Sequence, residues 1–146
     1  MPDHLNTLVL LVHACATWFM VGLIWFVQVV HYPLMGVVPD AASSAYSRAH
    51  QRRTTWIVGP VMLLEAGSAI LLFWVPHGEF NATPMRCIGI ALLALVWIST
   101  FAVQVPLHAR LASGSGTSVI RRLVATNWLR TVAWTARGVV AIVLLG

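Results

Sequence analysis

Lysine is absent from this chain of 146 residues, and only four residues are acidic. Charged residues make up 9% of the sequence, whereas a typical soluble domain has about 25%. Such a low charge content excludes an ordinary soluble domain. The nine basic residues are all arginines, and seven of them lie in or beside the connections between apolar segments, so they indicate a membrane topology and not a nucleic-acid partner.

Several kinds of active site are also missing. Cys15 and Cys87 are the only cysteines, and neither has a neighbouring base on its helix face, so cysteine nucleophile chemistry has no support. The glycine-rich stretch from Ser113 to Ser118 lacks the lysine of a phosphate-binding loop. The sequence leaves open whether Cys15 and Cys87 form a disulfide.

Long apolar runs are what the chain has in abundance, since 59% of its residues are hydrophobic. A membrane span needs about 20 mainly apolar residues, and only helices of that length satisfy their own backbone hydrogen bonds in lipid. We therefore predict one all-α domain over residues 1–146, an integral membrane four-helix bundle. Its predicted spans cover about residues 8–31, 53–75, 87–109 and 122–145.

The arginines predict the orientation of this bundle. The second connection holds only Arg86, and the other loop arginines lie in the first and third connections: Arg48, Arg52, Arg53, Arg110, Arg121 and Arg122. By the positive-inside rule, the first and third connections face the cytoplasm. We predict an up-down-up-down bundle in a bacterial inner membrane, with both termini outside and the lipid bilayer as its main partner.

Polar residues inside the predicted spans fall on one face of each helix. At about 100° per residue, His13 and His31 share a face of the first span, with Gln28 about 60° away. The third span carries the stripe Thr100, Gln104 and His108, and the fourth carries Asn127, Arg130, Trp134 and Arg137. Ionisable residues in a membrane normally face the bundle interior, so we expect these faces to converge.

Three histidines from three helices are expected at one membrane level, namely His31, His50 and His108. Three imidazoles suffice for a catalytic transition-metal site, with iron or copper as the expected metal. Gln28 and Gln104 are placed beside them as cofactor-binding residues. This prediction assumes that His50 lies on a continuous helix, and the alternative is that interfacial histidines only anchor the protein to lipid headgroups.

Glu65 and Arg137 are expected at similar depth, where they would form a buried ion pair between the second and fourth spans. A proton relay or an anchor for a polar substrate group is the functional alternative. Glu65, Arg130 and Asn127 are therefore the candidate catalytic residues.

The stretches QVPLHARL and TNWLRT resemble the anthrone oxygenase-like family of small four-helix membrane proteins. In that family the third helix ends in Asn-Val-Pro-Leu-Asn and the fourth begins with Asn-x-x-Arg-Thr. The matching positions are Gln104, Val105, Pro106, Leu107, His108, Leu111, Asn127, Arg130 and Thr131. Gln104 and His108 stand where the family has asparagines. The resemblance implies oxygenation or oxidation of a polycyclic aromatic substrate.

A second stretch, HACATWFMVGL from His13 to Leu23, resembles the haem-dependent protoporphyrinogen oxidases of bacteria. This resemblance implies a haem b with His13 as a candidate ligand.

Three functional hypotheses follow from these patterns. The first is a metal-dependent membrane oxidoreductase or oxygenase that takes a hydrophobic, aromatic substrate from the bilayer. Trp25, Trp97 and Trp134 are expected to fill the core, with flat walls around an aromatic ligand as the alternative. The second is a b-type haem oxidase or electron carrier. The third is a small transporter or a membrane assembly subunit without a cofactor. Glycines such as Gly67 and Gly89 would also permit close contacts in a homo-oligomer.

Overall fold

The fold is described here from a computed structural model that covers residues 2–74, 83–114 and 116–145. Its α-helices are α1 (Pro2–Phe26), α2 (Tyr32–Met35), α3 (Asp40–Leu71), α4 (Thr83–Ser99), α5 (Val105–Ala112) and α6 (Thr117–Val143). π-helical turns at Val27–His31 and Thr100–Gln104 join α1 to α2 and α4 to α5, and a 3-10 turn at Leu72–Trp74 extends α3. The result is the predicted all-α four-helix bundle, in which α1–α2, α3, α4–α5 and α6 are the first to fourth long helices.

The second long helix begins at Asp40, well before the predicted boundary at residue 53. The intervening residues contain neither glycine nor proline, and Asp40 in the first turn complements the helix dipole, so the helix continues beyond the apolar run. His50 therefore lies on a continuous helix, as the metal-site prediction assumed. The predicted end of this span at residue 75 lies outside the described residues.

Three helices of the described chain are long and apolar enough to cross a membrane: His4–Met35, Asp40–Trp74 and Thr83–Ala112. They indicate an integral membrane protein. The fourth helix, α6, has 27 residues, which is long enough to span. It carries Arg121, Arg122, Arg130 and Arg137, so its role as a fourth span stays a prediction.

Both π-helical turns lie immediately before a proline. Pro33 and Pro106 have no N–H to donate to the carbonyl four residues earlier, and their rings would clash with that carbonyl. Those carbonyls belong to Val29 and Ala102, which are inside the two π-helical turns. The wider turn accommodates the proline ring. It also rotates the side chains about the helix axis relative to their positions in a continuous α-helix, and such turns are common at functional sites.

The bundle core is built around α6. Its Trp134 is fully buried and packs with Met20 and Ile24 of α1, Met62 of α3 and Val96 of α4. Gly138 permits the close packing of α6 on α1, because a Cβ atom there would lie only 3.2 Å from the side chain of Val21.

The packing places Gly89 inside the bundle, where it lies against Val140 of α6. A homo-oligomer stays a prediction. Cys15 and Cys87 are both free thiols on the exposed surface, and they form no disulfide with each other.

Candidate functional site

Polar side chains from all four long helices meet at one end of the bundle, as the helical stripes predicted. Asn127 Nδ2 of α6 donates a 2.8 Å hydrogen bond to Gln28 Oε1 in the first π-helical turn. Gln28 Nε2 in turn donates to the carbonyl oxygen of Val124 at 3.1 Å. Both side chains are almost completely buried, so these bonds fix the first helix against α6.

The third helix joins the same network through Gln104 and His108. Gln104 Nε2 donates to Thr126 Oγ1 of α6 at 3.1 Å. His108 Nε2 lies 3.0 Å from the hydroxyl oxygen of Tyr32, and Gln51 Nε2 of α3 donates to the His108 carbonyl at 2.8 Å. His108 is therefore held from two sides by the first and second helices.

The three predicted histidines are neighbours in the structure. The ring centroids of His31 and His50 are 4.2 Å apart with an interplanar angle of 27°, so these rings stack. The centroids of His50 and His108 are 5.6 Å apart. The predicted proximity of these three residues is confirmed.

The orientation of these rings does not produce a three-nitrogen metal site. Imidazole lone pairs lie in the ring plane, so stacked rings direct their nitrogens past one another. His50 Nδ1 also lies 3.1 Å from Thr54 Oγ1. No group of three or more His, Cys, Asp or Glu side chains among the described residues is arranged to hold a metal ion. Two buried nitrogens there, His31 Nε2 and His108 Nδ1, still lack a hydrogen-bond partner, so metal binding stays a prediction that requires the rings to turn.

A cavity of about 360 Å³ lies beside these residues, between α1, α3 and the third helix. Its walls are mainly aliphatic, and Phe101 and Val105 in the wall are also exposed on the outer surface of the bundle. The cavity therefore adjoins the surface that a membrane would cover. Its polar wall residues are Tyr32, His50, Gln51, Thr54, Thr55, Thr100, Gln104, His108 and Arg130.

The tryptophans do not form this pocket. Trp25, Trp97 and Trp134 are absent from the cavity wall. Trp134 belongs to the core, and Trp25 donates its indole N–H to Thr135 at the bundle surface. Core packing, the favoured interpretation of these tryptophans, is confirmed for Trp134, whereas the alternative of tryptophan walls does not hold for this cavity.

Three residues of the cavity wall each carry a buried polar atom that has no hydrogen-bond partner among the described residues. These atoms are the acceptor Gln104 Oε1, the donor Arg130 Nε and His108 Nδ1. A buried polar atom without a partner is unfavourable, and here three of them belong to residues that line one cavity. Buried polar groups gathered in the wall of a mainly apolar cavity are typical of a binding site.

Arg130 has several neighbours in this wall. Its NH1 donates to Asn127 Oδ1 at 3.2 Å, its guanidinium lies 5.1 Å from the ring centre of Trp134, and it interacts with the Tyr32 hydroxyl. All of these neighbours are uncharged.

Deeper in the bundle, Glu65 and Arg137 form the predicted buried ion pair, with Arg137 Nε 2.9 Å from Glu65 Oε1. Trp134 Nε1 donates to the other carboxylate oxygen at 3.1 Å, and Arg137 NH1 donates to the Gly89 carbonyl. Glu65 does not line the large cavity. The pair therefore fastens α3 and α4 to α6, and a catalytic role for Glu65 stays a prediction.

His13 lies near this ion pair. Its Nδ1 is 3.1 Å from Ser68 Oγ, and Ser68 Oγ donates to the Glu65 carbonyl oxygen. The cavity that His13 lines has a volume of about 10 Å³, room for about one water molecule. The haem alternative stays a prediction, and this packing leaves no space for a macrocycle beside His13.

Two site residues were not anticipated from the sequence. Tyr32 is the partner of His108, and Thr126 is the partner of Gln104. Tyr32 directly follows His31 in a stretch that ends in a proline, which was the available signal for a local irregularity. Nothing in the pattern of the fourth span distinguished Thr126 from the other hydroxyl residues.

Comparisons with the profiles of known protein families, with curated proteins and with solved structures found no match. The resemblances to the anthrone oxygenase-like family and to haem-dependent protoporphyrinogen oxidases therefore stay predictions. The functional argument rests on the geometry of the site.

Proposed function

We propose that this chain is a membrane-embedded oxidoreductase that binds a hydrophobic, aromatic molecule in the interior cavity. The observation that carries the proposal is the set of three unpartnered polar atoms on Gln104, His108 and Arg130 in the wall of one mainly aliphatic cavity. The apolar wall suits a substrate that arrives laterally from the bilayer. The reaction class, oxidation, is proposed from the resemblance to the anthrone oxygenase-like family. The geometry of the cavity does not itself indicate a reaction class.

His108 is the residue best placed to move a proton. In the tautomer that carries hydrogen on Nε2, this N–H donates to the Tyr32 oxygen, and the lone pair of Nδ1 is available to accept a proton from the ligand. Tyr32 then stabilises the imidazolium that forms. A positioned acid–base group of this kind typically contributes about 10²–10⁴-fold to a rate.

We also propose the full topology of the sequence prediction: four spans that alternate in direction, with both termini outside, in a bacterial inner membrane. The exposed residues Arg52, Arg53, Arg110, Arg121 and Arg122 support this orientation, because they belong to the connections and helix ends at the cavity end of the bundle.

The test uses the protein in phosphatidylcholine nanodiscs, with anthrone as the probe and oxygen uptake and absorbance as readouts. Gly59→Leu fills the cavity, because Gly59 lines it and a Cβ atom there meets open space. Gly67→Leu on the exposed face of the same helix is the matched control. We expect turnover that Gly59→Leu abolishes and Gly67→Leu preserves. Oxygen uptake equal to that of empty nanodiscs contradicts oxidation of this probe class.

A metal-dependent form of this activity is the second candidate, favoured by the unpartnered nitrogens of His31 and His108. Elemental analysis of the purified protein tests it. Stoichiometric iron or copper that is lost in both His31→Ala and His108→Ala supports the three-histidine site, and a metal content unaffected by these variants contradicts it.

A further inference from the structure

Arg130 is a buried cation that has no carboxylate partner among the described residues. Only 7% of its surface is exposed. Glu65, the buried acidic residue of the described chain, is already paired with Arg137, and Asp40 is exposed at the start of α3. Arg130 itself makes no salt bridge with another described residue. The neighbours of Arg130 are an amide, an indole ring and a phenol, which solvate its charge but do not neutralise it.

A charge in such a site is unfavourable unless something compensates it. Removing a cation from water carries a large desolvation cost, which an opposite charge with good hydrogen-bond geometry can offset. In a membrane bundle, arginines that face the interior normally pair with an anion or line a pathway for one. The missing negative charge must therefore come from outside the described fold.

The position of the free donor indicates where that charge binds. Arg130 NH1 is already used by Asn127, whereas Nε has no partner and Arg130 lines the large cavity. Guanidinium N–H groups bind carboxylate and related oxyanions through charge-assisted hydrogen bonds. His108 and Gln104 in the same wall provide two further polar atoms, and the remaining wall is mainly aliphatic.

We propose that the cavity binds a hydrophobic organic anion, in which a charged oxygen on an apolar body pairs with Arg130. This inference rests on the proposed function, because it assigns a charge to the ligand of the same cavity. The oxyanion is a carboxylate, or a phenolate formed when His108 Nδ1 accepts the phenol proton. In the phenolate case, one proton moves from the ligand oxygen to the imidazole of His108, so the ligand loses the proton that the imidazole gains.

Three naphthalene probes of similar size test the proposal: 2-naphthoate, 2-naphthol and 2-methylnaphthalene. Binding is measured at neutral pH in phosphatidylcholine nanodiscs, with empty nanodiscs to correct for partition into lipid. We expect 2-naphthoate to bind at least about tenfold more tightly than 2-methylnaphthalene, since a charge-assisted bond in a buried site has about that effect. The absorption band of naphtholate in the ground-state spectrum of bound 2-naphthol identifies the phenolate source.

Arg130→Gln should remove the preference for 2-naphthoate, and Arg130→Lys should retain part of it. Arg121→Gln, on the exposed surface of α6, is the control that leaves it unchanged. Equal affinity of the wild-type protein for 2-naphthoate and 2-methylnaphthalene would overturn the anion proposal while leaving a hydrophobic binding cavity, whether or not the variants fold. Failure of all three probes to bind would overturn the proposed function as well.

Discussion

Arg130 and Arg137 lie two helical turns apart on α6 and are both buried, yet among the described residues only Arg137 is paired with a carboxylate. Trp134 lies between them: its ring contacts the guanidinium of Arg130, and its indole N–H donates to Glu65, the partner of Arg137. One helix therefore presents a neutralised cation to the bundle core and an unneutralised one to the cavity. Because of this difference, we assign a structural role to Arg137 and a binding role to Arg130.

Glu65→Gln should destabilise the protein strongly. The change leaves Arg137 as a buried charge without a partner, which typically costs about 3–5 kcal/mol. Thermal unfolding in mild detergent, followed by circular dichroism, measures the loss. The double variant Glu65→Gln/Arg137→Gln should recover part of it, because it removes both charges. A double variant less stable than Glu65→Gln alone would show that the cost does not come from the unpaired charge.

Arg130→Gln should have a much smaller effect on stability. It removes the hydrogen bond to Asn127, worth about 1 kcal/mol, and the contacts with Tyr32 and Trp134, but it also removes a charge that has no carboxylate partner among the described residues. The same unfolding measurement should place it within about 1 kcal/mol of the wild type. A loss as large as that of Glu65→Gln would indicate that Arg130 holds the bundle together and is not reserved for a ligand.

His108→Gln and Tyr32→Phe should separate proton transfer from positioning. Loss of the imidazole should lower turnover of the anthrone probe by about 10²–10⁴-fold, whereas loss of the Tyr32 hydroxyl removes a partner of His108 Nε2 and of Arg130 but leaves the imidazole in place. We expect the smaller decrease in Tyr32→Phe, together with a changed dependence of turnover on pH. Oxygen uptake across a pH series measures both. Full activity in His108→Gln would exclude His108 as the base.

The helical period was sufficient to predict which residues meet. Asn127, Arg130 and Arg137 were assigned to one stripe from their spacing, and all three are buried on one face of α6. The Glu65–Arg137 pair could be predicted because both helices are regular there, so that a rise of about 1.5 Å per residue gives reliable depths.

Ring orientation could not be obtained in the same way. His31 lies at the end of a π-helical turn, where the side-chain phase departs from that of an α-helix, and its stacking on His50 depends on that local phase. Periodicity gives the face of a side chain but not its torsion angles. For this reason the sequence predicted three adjacent histidines correctly but did not show whether their nitrogens converge.

The π-helical turn of the third helix supports the last prediction, since Pro106 is its expected cause. Pro106→Ala restores an N–H that can bond to the Ala102 carbonyl, so residues 100–104 should return to α-helical geometry. Gln104 would then turn away from the cavity, and the variant should gain thermal stability while losing affinity for 2-naphthoate. Pro60→Ala is the matched control, because Pro60 lies within α3 and no π-helical turn accompanies it. Unchanged affinity in Pro106→Ala would show that the binding site does not depend on the π-helical turn.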